Sequence, residues 1–210
     1  MLFIISAYQA KKRREALAAV AAQMGFNFSA NASPDVFRQY EGMGLIPFGQ
    51  GRSQRASNLL FGQRNGLFWE FFDYRYTTGS GKNRHTHHYA IAAAKVPLAF
   101  PPTRIRPEGM FDKLKGLFGF EDINFESEQF SRRYHVSCAE RQRAFDLIHP
   151  RMIEFLLGIE ARDWQLSGPV LMLVRGGTHQ PPDVLRSVQL IEQFLSLVPQ
   201  YLRQDLAARR

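Results

Sequence analysis

The sequence predicts an α+β domain with a mainly antiparallel sheet, flanking helices and a long C-terminal helix. Residues 57–63 and 66–77 have strand-forming patterns on either side of an Asn-Gly dipeptide, which favours a tight hairpin. Residues 84–96 form a third predicted strand, and residues 182–207 have apolar side chains in steps of three or four, as in a helix. Hairpins join antiparallel strands, so this order favours α+β over a parallel α/β sheet. We interpret residues 15–210 as a single domain.

The N-terminal part is predicted to contain a helix over residues 12–24. Its apolar side chains recur at helical spacing, and Gly25 follows as a stop signal. A short strand is expected to start at Phe26. Residues 34–39 are predicted to form a helical turn with Pro34 at its first position.

The second and third strands have the clearest patterns in the chain. The first half of residues 66–77 is apolar on both faces, which is typical of a central strand that is covered on each side. In its second half Asp73 and Arg75 share one face. Residues 84–96 alternate, and one face has a row of three alanines. Small side chains let another element approach closely, most simply a helix laid across that face.

Prolines interrupt the pattern after residue 96 and are predicted to break regular structure up to residue 108. Residues 109–118 are expected to form a short helix or a loop. Residues 132–138 are predicted to form another strand.

A helix is predicted to start at residue 138, because Ser137 and Glu140 have the spacing of a capping box. Pro150 should end that helix, since a residue before proline avoids the helical region. The same proline is placed to open a second helix, and Gly158 is placed to stop it.

The chain is predicted to close with a hairpin and a long helix. Residues 164–166 and 169–174 are the two expected strands of the hairpin. The helix covers residues 182–207, and Pro199 should kink or split it.

Composition and charge restrict the functional classes. Cys138 is the single cysteine, so no internal disulfide can form, and a cytosolic location fits best. The formal net charge is +8, of which residues 1–14 hold +4 and residues 200–210 hold +2. The remaining body is close to neutral. Basic ends are more typical of solvated tails, or of tails near an anionic membrane, than of a nucleic-acid groove.

Residues 1–14 are interpreted as the remnant of a membrane anchor or as a tail. A mostly apolar segment is followed by four cations, as at the cytoplasmic end of a transmembrane helix. The apolar segment is too short to span a bilayer, which takes about 20 residues. We hypothesise that translation starts upstream of Met1 and that this segment is the stub of an anchor. The alternative is a short, partly buried or frayed N-terminal segment.

His85, His87 and Asp73 are the candidate metal ligands. On a strand His85 and His87 point to the same side, so they could share an ion. Asp73 lies on the neighbouring strand and could supply the third protein ligand that a catalytic zinc site needs. The alternative is that the histidines are polar residues at the frayed end of a hairpin. No cofactor is predicted.

Three other features fit structural explanations better than chemical ones. Residues 79–82 end like a phosphate-binding loop, but the first glycine and the final Ser or Thr of that motif are missing, so a hairpin turn is expected. Cys138 has no base close in sequence and fits a buried small residue. The basic cluster on the body is interpreted as a solvated face; it consists of Arg132, Arg133, Arg141 and Arg143.

Two stretches of the chain resemble segments of uncharacterised bacterial domains of unknown function. In residues 130–156 a strand ends in a small polar residue, leads into a helix, and is followed by a Pro-x-Met helix start. Residues 58–62, together with Phe72-Asp73-Tyr74, are similar to an upstream part of the same kind of protein. Such proteins often have transmembrane helices before this portion. The resemblance implies architecture and membrane proximity, and it supplies no active-site residue.

The sequence therefore predicts a non-catalytic binding or interaction domain at the cytoplasmic face of a bacterial plasma membrane. The partner is unknown, with a membrane surface and a protein both considered. The alternative is an enzyme whose site is assembled around the His85 and His87 hairpin. A third interpretation, nucleic-acid binding through the basic ends, is less favoured because the body is nearly neutral.

Overall fold

The computed structural model describes residues 2–108 and 123–209, with the backbone alone for residues 2–6. The prediction for residues 109–118 therefore lies outside the described residues. The α-helices are α1 (Leu2–Gln23), α2 (Asp35–Gly42), α3 (Glu128–Ser131), α4 (Arg141–Leu147), α5 (Pro150–Gly158), α6 (Pro181–Leu197) and α7 (Gln200–Ala208). The strands are β1 (Asn27–Asn31), β2 (Arg52–Arg64), β3 (Leu67–Thr78), β4 (His85–Pro107), β5 (Tyr134–Cys138) and β6 (Asp163–Gly176).

The described strands form one antiparallel sheet, which confirms the predicted α+β class. Strands β1, β2, β3 and β4 are neighbours in that order. The long strand β4 has two neighbours on one edge, because β3 pairs with its first half and β5 with its second half. Strand β6 pairs along the opposite edge of β4.

One face of the sheet is covered by helices, and we name it the helix face. It includes Leu60, Phe71, Ala92 and Leu173, which are all buried. Helices α1, α5, α6 and α7 contribute side chains to the same apolar cluster. The buried alanines of β4 at this face agree with the expectation that small side chains admit a covering helix.

The opposite face, which we name the loop face, includes Phe72 and Met172. It is covered by α2 and by the apolar segment 43–49 that follows this helix. The fully buried side chain of Gln165 holds that segment in place: its Oε1 accepts from the backbone N of Ile46 at 2.8 Å, and its Nε2 donates to the Ile46 carbonyl at 3.0 Å. These two bonds satisfy backbone groups that burial would otherwise leave unpaired.

Helix α1 begins well before the predicted start at residue 12. The boundary drawn between residues 1–14 and 15–210 therefore falls inside one helix. Gly25 follows the helix end in the left-handed conformation, at φ 72°, as predicted. Within the described residues, no helix combines the length and the apolar character that crossing a bilayer requires.

The predicted break of β4 at its prolines is wrong. The strand continues to Pro107, and its register against β6 shifts between Lys95 and Thr103. Pro97, Pro101 and Pro102 lie within this irregular stretch, where the missing N–H of proline removes no regular ladder bond.

The predicted C-terminal hairpin is also wrong. Residues 164–166 and 170–174 pair with the same strand, β4, and belong to the single strand β6. Gly168, at φ 53°, and Pro169 form an irregularity within this strand instead of a turn. By contrast, the β2–β3 hairpin is confirmed, with positive φ at Asn65 and Gly66 as a tight turn requires.

The predicted capping box does not start a helix. Ser137 lies in β5, which pairs with β4 up to Cys138, and α4 begins at Arg141. The strand ladder therefore overrides the local capping signal. Pro150 opens α5, and Pro199 separates α6 from α7, as the sequence predicts.

Candidate functional site

A cleft of about 320 Å³ lies where α1 meets the helix face of β2, β3 and β4. Its ionisable lining comes from all four elements, so the cleft exists only in the folded chain. These residues are Arg13, Arg14, Arg55, Asp73, Tyr74, Arg75 and His88.

Asp73 is the buried carboxylate of the cleft, with 7% of its side chain exposed. It accepts three hydrogen bonds: from Arg13 Nη1 at 2.8 Å, from Asn58 Nδ2 at 2.9 Å and from the backbone N of His179 at 2.8 Å. Arg13 Nη1 also donates to the His179 carbonyl at 2.9 Å. Because its charge and its acceptors are satisfied internally, Asp73 fixes α1 to the sheet and is not a free base.

His179, in the segment between β6 and α6, lies buried beside this ion pair. Its Nε2 donates to the Ile91 carbonyl at 2.8 Å, which leaves Nδ1 as the unprotonated acceptor. Among the described residues Nδ1 has no hydrogen-bond partner. Burial lowers the pKa of His179, while the bond to Ile91 and the charge of Asp73 act in the opposite direction. The ring is therefore a neutral packing element at pH 7.

Three basic side chains lie side by side across the strands of the cleft. Arg55 of β2 is directly opposite Arg75 of β3, which in turn is opposite His88 of β4. All three are exposed, and Arg55 Nη2 donates to Asn31 Oδ1 at 2.9 Å. Directly opposite residues have Cβ atoms about 5 Å apart, and like charges there destabilise a sheet. The stability of the fold therefore does not explain this row.

The basic row depends on a β-bulge in β2. The register between β2 and β3 shifts next to Asn58, which has a left-handed φ of 51°. Without the extra residue, the hairpin register would place Arg55 opposite Tyr76, on the loop face. The bulge thus turns Arg55 toward Arg75. Asn58 itself is buried, and its Oδ1 has no hydrogen-bond partner within the described residues.

The cleft has an excess of cationic hydrogen-bond donors. Four guanidinium groups line it together with one carboxylate, Asp73, whose charge Arg13 balances. In the part of the chain that the structure describes, the side chains of Arg14, Arg75 and His88 make no hydrogen bond or ion pair. Guanidinium groups with unused donors suit planar or tetrahedral oxyanions, which they bind with two parallel bonds.

The three predicted metal ligands are not brought together. Asp73 pairs with Ala90 on the helix face, whereas His87 pairs with Tyr76 on the loop face. The side chain of His87 stacks on Tyr76, with ring centroids 4.7 Å apart. Within the described residues no group of three His, Cys, Asp or Glu side chains is placed to hold a metal ion. Metal binding by His85 and His87 with other ligands stays a prediction.

The structural explanations for two other features agree with the fold. Residues 79–82 form the turn between β3 and β4, with Gly79 and Gly81 at positive φ. Cys138 is buried, and its sulfur lies 3.0 Å from Thr103 Oγ1. Burial raises the pKa of the Cys138 thiol, which disfavours the reactive thiolate.

The predicted basic cluster of the body does not form one site. Arg132 pairs with Glu128, and Arg143 pairs with Asp146 at 3.1 Å. Arg133 donates to backbone carbonyls at the end of α5, while Arg141 lies over the ring of Phe145. Each side chain has its own structural partner.

Comparisons with known proteins give one structural likeness. No family model matches the chain, and no curated protein matches its sequence. Its fold is similar to the crystal structure of the mycobacterial trehalose monomycolate transport factor A, TtfA, with a TM-score of 0.62 and 14% sequence identity. The match covers 90% of this chain and 95% of that chain. At this identity the likeness concerns the fold alone.

Proposed function

We propose that this chain is a non-catalytic binding domain that acts at the cytoplasmic face of a membrane. Its contact region is the basic surface, which we define as Arg14, Arg55, Arg75 and His88. The observation that supports this proposal most is the convergence of these side chains: one lies on the N-terminal helix and three lie on separate strands. Each cation near an anionic lipid surface contributes about 1 kcal/mol, so the three arginines of this surface favour binding.

The sequence of α1 adds to the same surface. Lys11 and Lys12 are exposed within one turn of Arg14, and an apolar run at positions 2–5 precedes them. An apolar segment followed by cations is the arrangement with which interfacial helices and juxtamembrane segments approach anionic membranes. The pairing of Lys11 with Glu15, at 3.8 Å and highly exposed, is too weak to cancel this charge.

The structural neighbour is compatible with a binding role. TtfA is named as a transport factor for trehalose monomycolate, and this chain shares its fold over nearly its whole length. By analogy we infer a binding role for this chain. The cleft agrees with this, because its one buried carboxylate is fully occupied by Arg13, Asn58 and His179.

Vesicle co-sedimentation tests the proposal. The chain should sediment with vesicles that contain phosphatidylglycerol at low salt, and remain in the supernatant with pure phosphatidylcholine vesicles. Raising the salt to about 1 M should release it, because the Debye length then falls to about 3 Å. Replacing Arg55 and Arg75 by glutamate should abolish sedimentation.

The matched control is the double variant Arg38→Glu and Arg132→Glu, which changes the net charge by the same amount. Both arginines lie outside the basic surface in exposed ion pairs, with Asp35 and Glu128. This variant should still sediment. Equal loss in both variants, or wild-type binding to duplex DNA that exceeds binding to anionic vesicles, would contradict the proposal.

A further inference from the structure

We propose that the cleft between α1 and the sheet is a specific site for a phosphate monoester, with the phosphate held by Arg14, Arg55 and Arg75. The same chemical group occurs on a lipid headgroup and on small soluble molecules. If the phosphate belongs to a lipid headgroup, the inference rests on the proposed membrane function. If the phosphate belongs to a small soluble molecule, the inference is independent of that function.

The charge of the cleft favours a monoester over a diester. After Arg13 balances Asp73, three guanidinium groups remain in the lining. A phosphate monoester has about two negative charges at neutral pH and three terminal oxygens, so it can accept from several guanidinium groups at once. A diester has a single charge and only two terminal oxygens. Three convergent arginines are therefore better matched to the monoester.

The geometry of the strands suits one bound phosphate. Neighbouring strands lie about 4.8 Å apart, so the side chains of Arg55 and Arg75 rise from the sheet at a spacing that one phosphate can bridge. Arg14 lies on the other wall of the cleft, on α1. The volume of about 320 Å³ admits a headgroup or a small metabolite.

The cleft is preformed by buried contacts. Arg13, the residue before Arg14, is fixed to Asp73 and to the His179 carbonyl, so the adjacent turn of α1 cannot move away from the sheet without breaking these bonds. Arg55 is oriented by its bond to Asn31 Oδ1 at 2.9 Å. Donors that are already in position lose less entropy when the anion binds.

The basic row also predicts how the empty protein responds to substitution. Arg75 lies between Arg55 and His88 and makes no ion pair within the described residues, so its charge should destabilise the unliganded sheet. A neutral residue at this position should raise the melting temperature and at the same time abolish phosphate binding. A purely structural arginine would show the opposite effect on stability.

The first experiment measures thermal unfolding with inorganic phosphate and glycerol phosphate as probes. Both should raise the melting temperature of the wild type more than they raise the melting temperature of Arg75→Gln. The shift that remains in the variant measures the general stabilisation that phosphate gives to proteins. Without phosphate, Arg75→Gln should melt higher than the wild type. The matched control Arg38→Gln, outside the cleft, should respond to phosphate as the wild type does.

The second experiment uses calorimetric titration to distinguish specific phosphate binding from attraction by the net positive charge. The double variant Arg55→Lys and Arg75→Lys keeps the net charge but lacks the planar fork, so its phosphate affinity should fall about tenfold or more. The same variant should still sediment with phosphatidylglycerol vesicles. Wild-type preference for vesicles with phosphatidic acid, a monoester headgroup, over phosphatidylglycerol at equal charge density would identify the lipid-borne source.

The outcomes are distinguishable. Two results would contradict the phosphate site: equal phosphate-induced shifts of the melting temperature in the wild type and Arg75→Gln, or a lower melting temperature of Arg75→Gln without phosphate. Neither result would exclude vesicle binding through the basic surface. Phosphate binding without any sedimentation on anionic vesicles would support the soluble case and contradict the proposed membrane function.

Discussion

Arginines near the two ends of the chain have opposite surroundings. At the C-terminal end, Asp205 of α7 pairs with Arg143 of α4 at 2.9 Å and Arg209 pairs with Glu140 at 2.8 Å, so these cations are matched by carboxylates. Near the N-terminus, Arg14 has no such partner among the described residues and lies beside further cations of the sheet. The net charge of a segment therefore does not predict the electrostatic potential at its surface, because acidic side chains from other parts of the chain can pack against it.

The two regions also differ in how their ion pairs relate to stability. Arg13 and Arg143 have the same side-chain exposure, 22%, but Asp73 is 7% exposed while Asp205 is 37% exposed. Breaking a buried pair leaves an uncompensated charge, whereas an exposed carboxylate is simply hydrated again. The two pairs thus differ in the burial of the acid, and also in the number of acids, because Arg143 pairs with Glu140 and Asp146 as well.

The largest expected effect is that of Asp73→Ala. It leaves Arg13 without its counter-charge and removes the acceptor of Asn58 and of the His179 backbone. We expect a loss of about 3 to 5 kcal/mol in the free energy of unfolding, measured by urea denaturation. The corresponding variant Asp205→Ala should lose less than about 1 kcal/mol. Similar losses in the two variants would remove the distinction.

The next effect concerns the cations of the two pairs. Arg13→Ala should reduce the free energy of unfolding by about 2 kcal/mol, because Asp73 keeps two neutral donors but loses its opposite charge. Arg143→Ala should cost less than about 1 kcal/mol. Urea denaturation of both variants at low and high salt gives the measurement, and only the smaller loss should depend clearly on salt.

A smaller effect is expected from pH. Burial lowers the pKa of His179, so below about pH 6.5 the unfolded chain takes up a proton that the folded protein excludes. The free energy of unfolding should therefore fall as the pH decreases through this range, by at most about 1.4 kcal/mol per pH unit from this residue. His179→Gln should remove this component of the pH dependence. The variant His85→Gln, at an exposed histidine, serves as the control. If it also lost this part of the pH dependence, the assignment of the effect to His179 would be contradicted.

The smallest effect is expected at the C-terminal end. Arg209→Ala removes exposed ion pairs with Glu140 and Asp205 and should leave the urea midpoint unchanged. It should also leave vesicle binding unchanged, since this side chain is already matched by acids. A clear loss of vesicle binding would show that the basic ends act together, as the nucleic-acid interpretation assumed.

Much of the fold was predictable because its signals are local. The Asn-Gly turn at 65–66, Pro150 at the start of α5 and Pro199 between α6 and α7 each restrict their own backbone. The errors occurred where a long-range ladder overrides a local preference. Strand β4 continues past its prolines and β5 past Ser137, because pairing with distant strands is retained on either side.

The candidate site was less predictable for a related reason. The alternation in β3 already placed Asp73 and Arg75 on one face, and this was the available signal. The position of Arg55 depends on the bulge at Asn58, which no pattern of hydrophobic residues reveals, and a shift of one residue reverses the faces. His179 and Arg13 reach Asp73 from distant parts of the sequence.

The irregularity in β6 has a consequence beyond the single molecule. Within the described residues β6 pairs only with β4, so its other side could otherwise serve as a template for a foreign strand. Pro169 offers no N–H there, and Gly168 bends the backbone at φ 53°. Together they interrupt the regular hydrogen-bonding pattern of this edge strand, and such interruptions disfavour edge-to-edge pairing between molecules.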